Sequence, residues 1–367
     1  MAKDPVPPAT RTKVARSVLT KNLAVKPGER VIIEAWTHTL PWAVTFAREA
    51  RRLGAQTLVP YEDEDAYWDA VKSGSENVLG KPAAHEWAAL GKTDVYIHMW
   101  GPGDRVRLGT LPEKQASTLF GFNADWYRAA AKAGVRGARM ELGRPYPTLA
   151  RAYAADQSRW TDEVIRATMV SPDALAASAA PVARALQRGK RIRIRDDAGT
   201  DLTLGLAGRK PKVFAGHVSP ADRHRQFFSL TTLPSGAIHV ALDENVADGT
   251  IVGNRDCFYD DGVATGGVLR FRRGRLTRAE FDRGGERFRK PFKAGGKGRD
   301  RPGQLRVGLN PELHNTPQLE DIELGAFTVA VGGNAFLDGK NTSPFFGWVV
   351  NAGASLEVDG KPVPIRG

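Results

Sequence analysis

Seven histidines are the natural starting point, because imidazole is both a common metal ligand and the side chain whose proton moves near neutral pH. His38, His85, His98, His217, His224, His239 and His314 are scattered, and none pairs as HxH, HxxxH or HExxH. Singly, each reads as a surface or core histidine. Two groups carry more chemistry. His239 is followed by Asp243 and Glu244 at the edge of a strand-like run. Glu312 and His314 follow Asn310-Pro311, with Asp321 and Glu323 close behind. A histidine near a carboxylate has the makings of an acid–base pair, so His239, Asp243 and His314 are candidate catalytic residues. Asp256, Asp260 and Asp261 surround Cys257, a stretch that offers oxygen ligands to a cation but reads equally as a solvated turn. Other signatures are missing. There is no GxSxG nucleophile turn and no phosphate-binding GxxxxGKS/T. Gly101-Pro102-Gly103 follows a strand-like run but lacks the third glycine of a dinucleotide fingerprint, so it reads as a turn. Cys257 is the single cysteine, which rules out an internal disulfide and a cysteine-based zinc site.

The elements that must position these residues divide in two. In the first half, apolar runs alternate with helical periodicity. Val31–Trp36, Gln56–Pro60 and Asp94–Trp100 read as strands. Pro41–Leu53, Glu113–Ala133 and Pro172–Arg188 read as helices, with Thr39 as an N-cap and Gly54 as a stop for the first. The acidic run Glu62–Asp65 suits the opening of another helix. This alternation predicts an open, mostly parallel sheet with helices on its faces. The texture changes after Gly189. Arg191–Arg195 alternates basic and isoleucine, and Asp201–Leu206 follows as its hairpin partner. Ala237–Ala241, Val268–Arg272, Gln304–Leu309, Phe327–Val331 and Leu356–Val358 are further strands. The expected fold class is α/β: an N-terminal α/β domain over 11–185 and a β-rich α+β domain over 186–367, preceded by a loose arm over 1–10.

Composition narrows the partners. Hydrophobic residues make up 41% of 367 residues, enough for a packed core. No apolar run approaches the roughly 20 residues of a spanning helix, so no membrane partner is expected. Met1–Thr10 has no apolar stretch of a secretory signal, and the lone cysteine suits a cytoplasmic location. The net charge is +12, and residues 270–301 alone hold thirteen Lys/Arg against four Asp/Glu. No nucleic-acid module accompanies that charge, so it reads as a solvated hairpin and helix, and a nucleic-acid partner is not expected. The eight tryptophans are too dispersed for a stacking platform and read as core and pocket lining.

Order and spacing also carry a resemblance. Leu23–Ile33 with the helix ending near Glu49–Gly54 resembles the N-terminal part of the aminopeptidase T-like (M29) metallopeptidases. Gly199–Leu206 is similar to their Gly-Thr-Asp-Leu strand turn. Leu233-Pro234-Ser235-Gly236, Leu309-Asn310-Pro311 and Val331-Gly332-Gly333-Asn334 are similar to three further landmarks in the same order. The resemblance spans about residues 15–360 and implies the family's fold and, by analogy, a homodimer.

It also implies two divalent metals held by carboxylates, histidines and a tyrosine in the C-terminal part, polarising a scissile carbonyl and activating water. This chain departs from that pattern. Ala237, Gln304, Thr328, Ala335, Phe346 and Trp348 stand at or near the ligand positions, and no histidine follows His314. Alanine, phenylalanine and tryptophan offer no lone pair to a hard cation. The iron of a 2,5-dihydroxypyridine-type dioxygenase meets the same obstacle. The expectation is therefore no metal and no cofactor, with an apolar pocket formed by Ala237, Gln304, Thr328, Asn334, Phe345, Phe346 and Trp348. Such a cleft would bind a peptide or small amide-like ligand in a specialised pathway, with a possible partner enzyme. Two alternatives stay open: a metal-independent enzyme on an amide or ring substrate, using His239, Asp243, Gln304 and His314, or a metal enzyme with displaced ligands such as Asp243, Glu312 and His314.

Overall fold

A computed structural model describes residues 6–74 and 84–366. The chain forms two units, Met1–Pro172 with Gly216–Pro234, and Asp173–Ala215 with Ser235–Gly367.

The first unit is built on a parallel sheet of β1 (Arg30–Ile33), β2 (Gln56–Leu58), β3 (Val95–Met99), β4 (Arg136–Met140) and β5 (Leu230–Leu233). Its spatial order is β2-β1-β3-β4-β5, with every pairing parallel. The chain therefore leaves β1 toward one edge and returns to build the other, which makes the gap between the ends of β1 and β3 a topological switch point. Five helices matter around it: α1 (Pro8–Ser17), α2 (Leu40–Arg52), α3 (Glu64–Ser73), α4 (Ala84–Leu90) and α5 (Glu113–Ala133). In α2, Trp42, Ala43, Phe46, Ala47 and Ala50 form the buried stripe, the spacing of a helix with one apolar face. Gly54, at φ +83°, supplies the left-handed turn that ends it. Thr39 stands at its N-cap, but the hydroxyl accepts from the Trp36 amide at 2.9 Å instead of a helix N–H. The acidic run opens α3 as expected, with Asp63 Oδ1 accepting from the Asp65 and Ala66 amides at 3.1 Å. Residues 1–5 of the expected arm lie outside the described residues. Pro8, Ala9 and Thr10 form the first turn of α1, where a proline needs no amide partner.

The second unit stacks two antiparallel sheets. One has seven strands, running from Arg275–Glu280 through Val268–Arg272, Ala247–Val252, Asp201–Gly205, Arg191–Arg195 and Ser355–Val358 to Lys361–Pro362. The other has five, with β6 (Ala237–Ala241), β7 (Pro302–Gly308), β8 (Ala326–Gly332) and β9 (Phe346–Ala352) in the order β9-β8-β7-β6, followed by Lys212–Phe214. One core joins their facing sides. Ile192, Ile194, Leu202 and Leu204 from the first sheet meet Ile238, Val240, Leu305, Val307, Phe327 and Val329 from the second. The helix Pro172–Arg188 adds Val182 and Leu186 to that core. The basic segment forms a hairpin and the helix Glu286–Ala294, with Arg270, Arg272, Arg273 and Arg275 exposed.

Candidate functional site

In an antiparallel pair, directly opposed residues point to the same face. That rule gathers most of the expected pocket. His239 lies opposite Arg306, Arg306 opposite Thr328, and Thr328 opposite Val350. One step along, Ala241, Gln304, Ala330 and Trp348 form the next row, with Ala237 and Phe346 at the ends. Ile238, Leu305, Val307, Phe327 and Val329 alternate into the core, so this second set occupies the opposite face of the same sheet.

At the centre of the face sits Arg306, a residue the sequence reading passed over. Its guanidinium pairs with Asp321 and lies 5.3 Å from the Phe346 ring centroid. Gln304 is fully buried, and with its amide oxygen turned toward Arg306 it accepts from Nε at 2.9 Å and Nη2 at 2.8 Å. Thr328 is fully buried and its hydroxyl has no partner among the described residues. Burial holds the His239 imidazole well below its ordinary range, and the Arg306 charge adds to this. His239 Nδ1 has no hydrogen-bond partner among the described residues, and the ring packs 4.5 Å from that of Phe214. The hairpin of Cys257–Tyr259 and Gly262–Ala264 reaches the same strands: Tyr259 stacks on Trp348 at 4.9 Å, and Trp348 lies 5.9 Å from Phe346. Burial and neighbouring Asp321 push the Glu320 carboxyl up to about 8, and burial likewise raises the Cys257 thiol.

The other candidates fall elsewhere. Phe345 packs into the core against Phe288 and Phe292. The Asn334 amide is consumed by the Leu242 and Gly303 carbonyls and by Glu244, whose own carboxyl is held at about 2 by Arg209, the Lys340 amide and Asn334 against the effect of burial. Asp243 caps a turn by accepting from the Asn245 amide at 2.9 Å. His314 is 70% exposed, with Nδ1 3.5 Å from a Glu323 carboxylate that is engaged by Arg255. His239, Asp243 and His314 do not form a hydrogen-bonded group. Among the described residues, no three His, Cys, Asp or Glu side chains are grouped so as to hold a metal ion.

With this geometry in view, the comparisons become informative. The family model described as thermophilic metalloprotease (M29) matches residues 9–296. The chain belongs to the M29 peptidase family. Its fold is similar to that of wild-type AmpT from Thermus thermophilus, with a TM-score of 0.73 at 20% identity over 97% of each chain. It is also similar to 2,5-dihydroxypyridine dioxygenase from Pseudomonas putida KT2440, with a TM-score of 0.62 at 16% identity over 98% of this chain and 97% of the other. No curated protein matches in sequence. The family match ends before β7, β8 and β9, the strands that carry Gln304, Arg306, Thr328, Phe346 and Trp348.

This M29 chain has a second feature that single-residue inspection missed. A cavity of about 560 Å³ opens in the first unit beside the ends of β1 and β3. Glu34, immediately after β1, receives hydrogen bonds from Trp36 Nε1 at 3.2 Å and Tyr96 Oη at 3.0 Å, and its Oε2 is 2.7 Å from His98 Nδ1. Burial would raise the Glu34 carboxyl, but His98, Tyr96 and Trp36 together hold it below its ordinary value. Trp100 donates from Nε1 to Glu141 at 2.7 Å and stacks edge-on to His98 at 5.1 Å. The available signal was a glutamate ending an apolar run and a histidine alternating with apolar residues in β3, two strands the topology places side by side.

Proposed function

We propose that this M29 protein works without the family's metal pair and holds a peptide or small amide-like ligand against the five-stranded sheet of its second unit. The observation that carries this reading is the place of Arg306. A permanent cation, anchored by Asp321 and Gln304, stands in the middle of the strands where the family resemblance implies divalent ions. A divalent ion about 4 Å from that guanidinium would meet a repulsion of about 8 kcal/mol from the guanidinium alone at an effective dielectric of about 20, a part of which the paired Asp321 carboxylate offsets. Asp321 is committed to Arg306, and the other oxygens on the face add little. Gln304 already serves Arg306, Thr328 supplies one neutral hydroxyl, and Ala237, Phe346 and Trp348 supply none. The residues present do not fit a metal pair, and no hydrolytic step is assigned to one. What they offer is an aromatic rim at Phe346 and Trp348 beside a neutral imidazole at His239, with Thr328 buried beneath them. That combination suits a planar amide with an apolar side chain.

Metal content and binding test this together. Protein purified with zinc, manganese and cobalt supplied should carry well under one tenth of an ion per chain by mass spectrometry. A library of unlabelled short peptides should give saturable heats by calorimetry with no cleavage by mass spectrometry. Stoichiometric metal, or metal-dependent release of amino acids, would sink the proposal. Cleavage that persists with chelator present and disappears in H239Q would replace binding with metal-independent catalysis.

A further inference from the structure

The cavity of the first unit is assigned no role by the family's metal chemistry, which belongs to the second unit. Its position is nonetheless that of a ligand site. Its lining crosses one face of all five strands, from Leu58 through Ile32, Tyr96 and Arg139 to Leu230, and reaches Glu34 and His98 toward the carboxyl ends of β1 and β3, where the strand order reverses. Its walls are also unlike an ordinary packing defect, which would be apolar and small. Trp36, Trp87, Tyr96 and Trp126 give it aromatic faces, and Glu62 and Glu86 give it carboxylates.

Charge is distributed unevenly across it. Glu34 is satisfied by His98, Tyr96 and Trp36. The Glu62 and Glu86 carboxylates have no hydrogen-bond or ion-pair partner among the described residues. Burial raises the Glu62 carboxyl, and the negative charges of Glu34, Glu86 and Asp63 raise it further. The permanent cation in the lining, Arg139, is on β4, three strands from the end of β2 that leads to Glu62, a separation of about 14 Å at normal strand spacing. Its Nη2 is 3.3 Å from Thr232 and its guanidinium 5.7 Å from the Tyr127 ring and 5.9 Å from that of Trp100, while its buried Nε has no partner among the described residues, so its charge stays at that far end. The end of the cavity near Glu62 and Glu86 is thus acidic and aromatic at once. Ring faces attract cations through their quadrupole, and more strongly where water is excluded.

We propose that the first unit binds a compact organic cation, an amine carrying an apolar or aromatic body, with the ammonium at Glu62 and Glu86 and the body between the tryptophan and tyrosine rings. The cavity volume is in the range of small-molecule sites.

Three probes that share a phenethyl body test the sign of the site on the full chain by calorimetry: phenethylamine, 2-phenylethanol and 3-phenylpropionate. Phenethylamine should bind one per chain, at least tenfold more tightly than the neutral alcohol, and 3-phenylpropionate should give no binding heat. The double variant E62Q/E86Q should bring phenethylamine down to the affinity of the alcohol. Both glutamates are exposed at the surface of the cavity, so an unchanged melting temperature and circular dichroism spectrum should accompany that loss. The proposal is overturned if 3-phenylpropionate binds as well as the amine, if phenethylamine does not bind, or if E62Q/E86Q retains full amine affinity. None of these readouts depends on metal or peptide binding in the second unit, so each proposal can fail without the other.

Discussion

His239 and Glu320 titrate in opposite senses, and the pH dependence of stability should separate them. Burial and Arg306 depress the His239 imidazole. The unfolded chain therefore takes up a proton that the folded chain refuses, and stability falls as pH drops below about 6.5. The variant H239Q should flatten that acid limb in a series of urea melts; an unchanged limb would mean that His239 protonates freely in the fold. Glu320 works the other way. Its carboxyl is held at about 8, so the unfolded chain ionises first, and stability falls as pH rises from about 4.5 toward 8 before levelling. E320Q should remove this decline and raise the melting temperature at pH 8 by at least a few degrees, with little change at pH 4. Thr328 offers a further check. Its buried hydroxyl has no partner among the described residues, so T328V should stabilise the protein by about 1 kcal/mol in denaturant melts. A loss of that size would reveal a partner for the hydroxyl.

Elements carry the close approaches that residues alone do not show. A Cβ added to Gly137 in β4 would lie 2.0 Å from the Tyr96 carbonyl oxygen of β3 and 2.5 Å from Leu230 of β5. Backbone at that distance cannot yield as a flexible side chain would. G137A should therefore destabilise the first unit by about 3 kcal/mol or more. It should also weaken amine binding, because β3 carries Tyr96 and His98 into the cavity. A variant with unaltered melting and binding would show that the sheet relaxes easily. Much at this scale was legible in the chain. Glu113–Ala133 and Pro172–Arg188 form helices over the residues their periodicity marks, and Arg191–Arg195 buries its two isoleucines as its alternation requires. The site was harder to read. Period-two alternation puts Gln304 and Thr328 on one side of their strands, but only the register between strands sets Arg306 beside them. An arginine two residues after Gln304, in a strand whose other side chains are apolar, was the mark to follow. Glu34 and His98 were hidden for the same reason, since sequence separates them by 64 positions and pairing of β1 with β3 joins them.

Across the molecule, the boundary between units does not follow a single cut in the chain. Gly216–Pro234 belongs to the first unit even though the strands before and after it build the second. A change in this segment should report on the first unit. Leu230, 4% exposed, sits in β5 and lines the cavity. L230A should cost about 2–4 kcal/mol and speed hydrogen exchange in β3 and β4, while β6, only a few residues downstream, keeps its protection. Loss of protection in β6 alone would contradict the division. β5 itself was absent from the sequence reading, because four residues of mixed polarity between loops carry no periodicity.

That late strand also sets an order of events during synthesis. The first four strands of the parallel sheet are complete once Met140 has left the ribosome, yet the ladder beside β4 stays open until Leu233 emerges. At typical translation rates the interval is about 5–20 s. Throughout it, a nascent α/β layer presents an unpaired parallel edge while two strands of the seven-stranded sheet and one of the five-stranded sheet are being made. An unpaired edge invites strand addition from other chains. The growing polypeptide thus passes through a window in which a chaperone, or fast capture of its own distant segment, decides between assembly and aggregation.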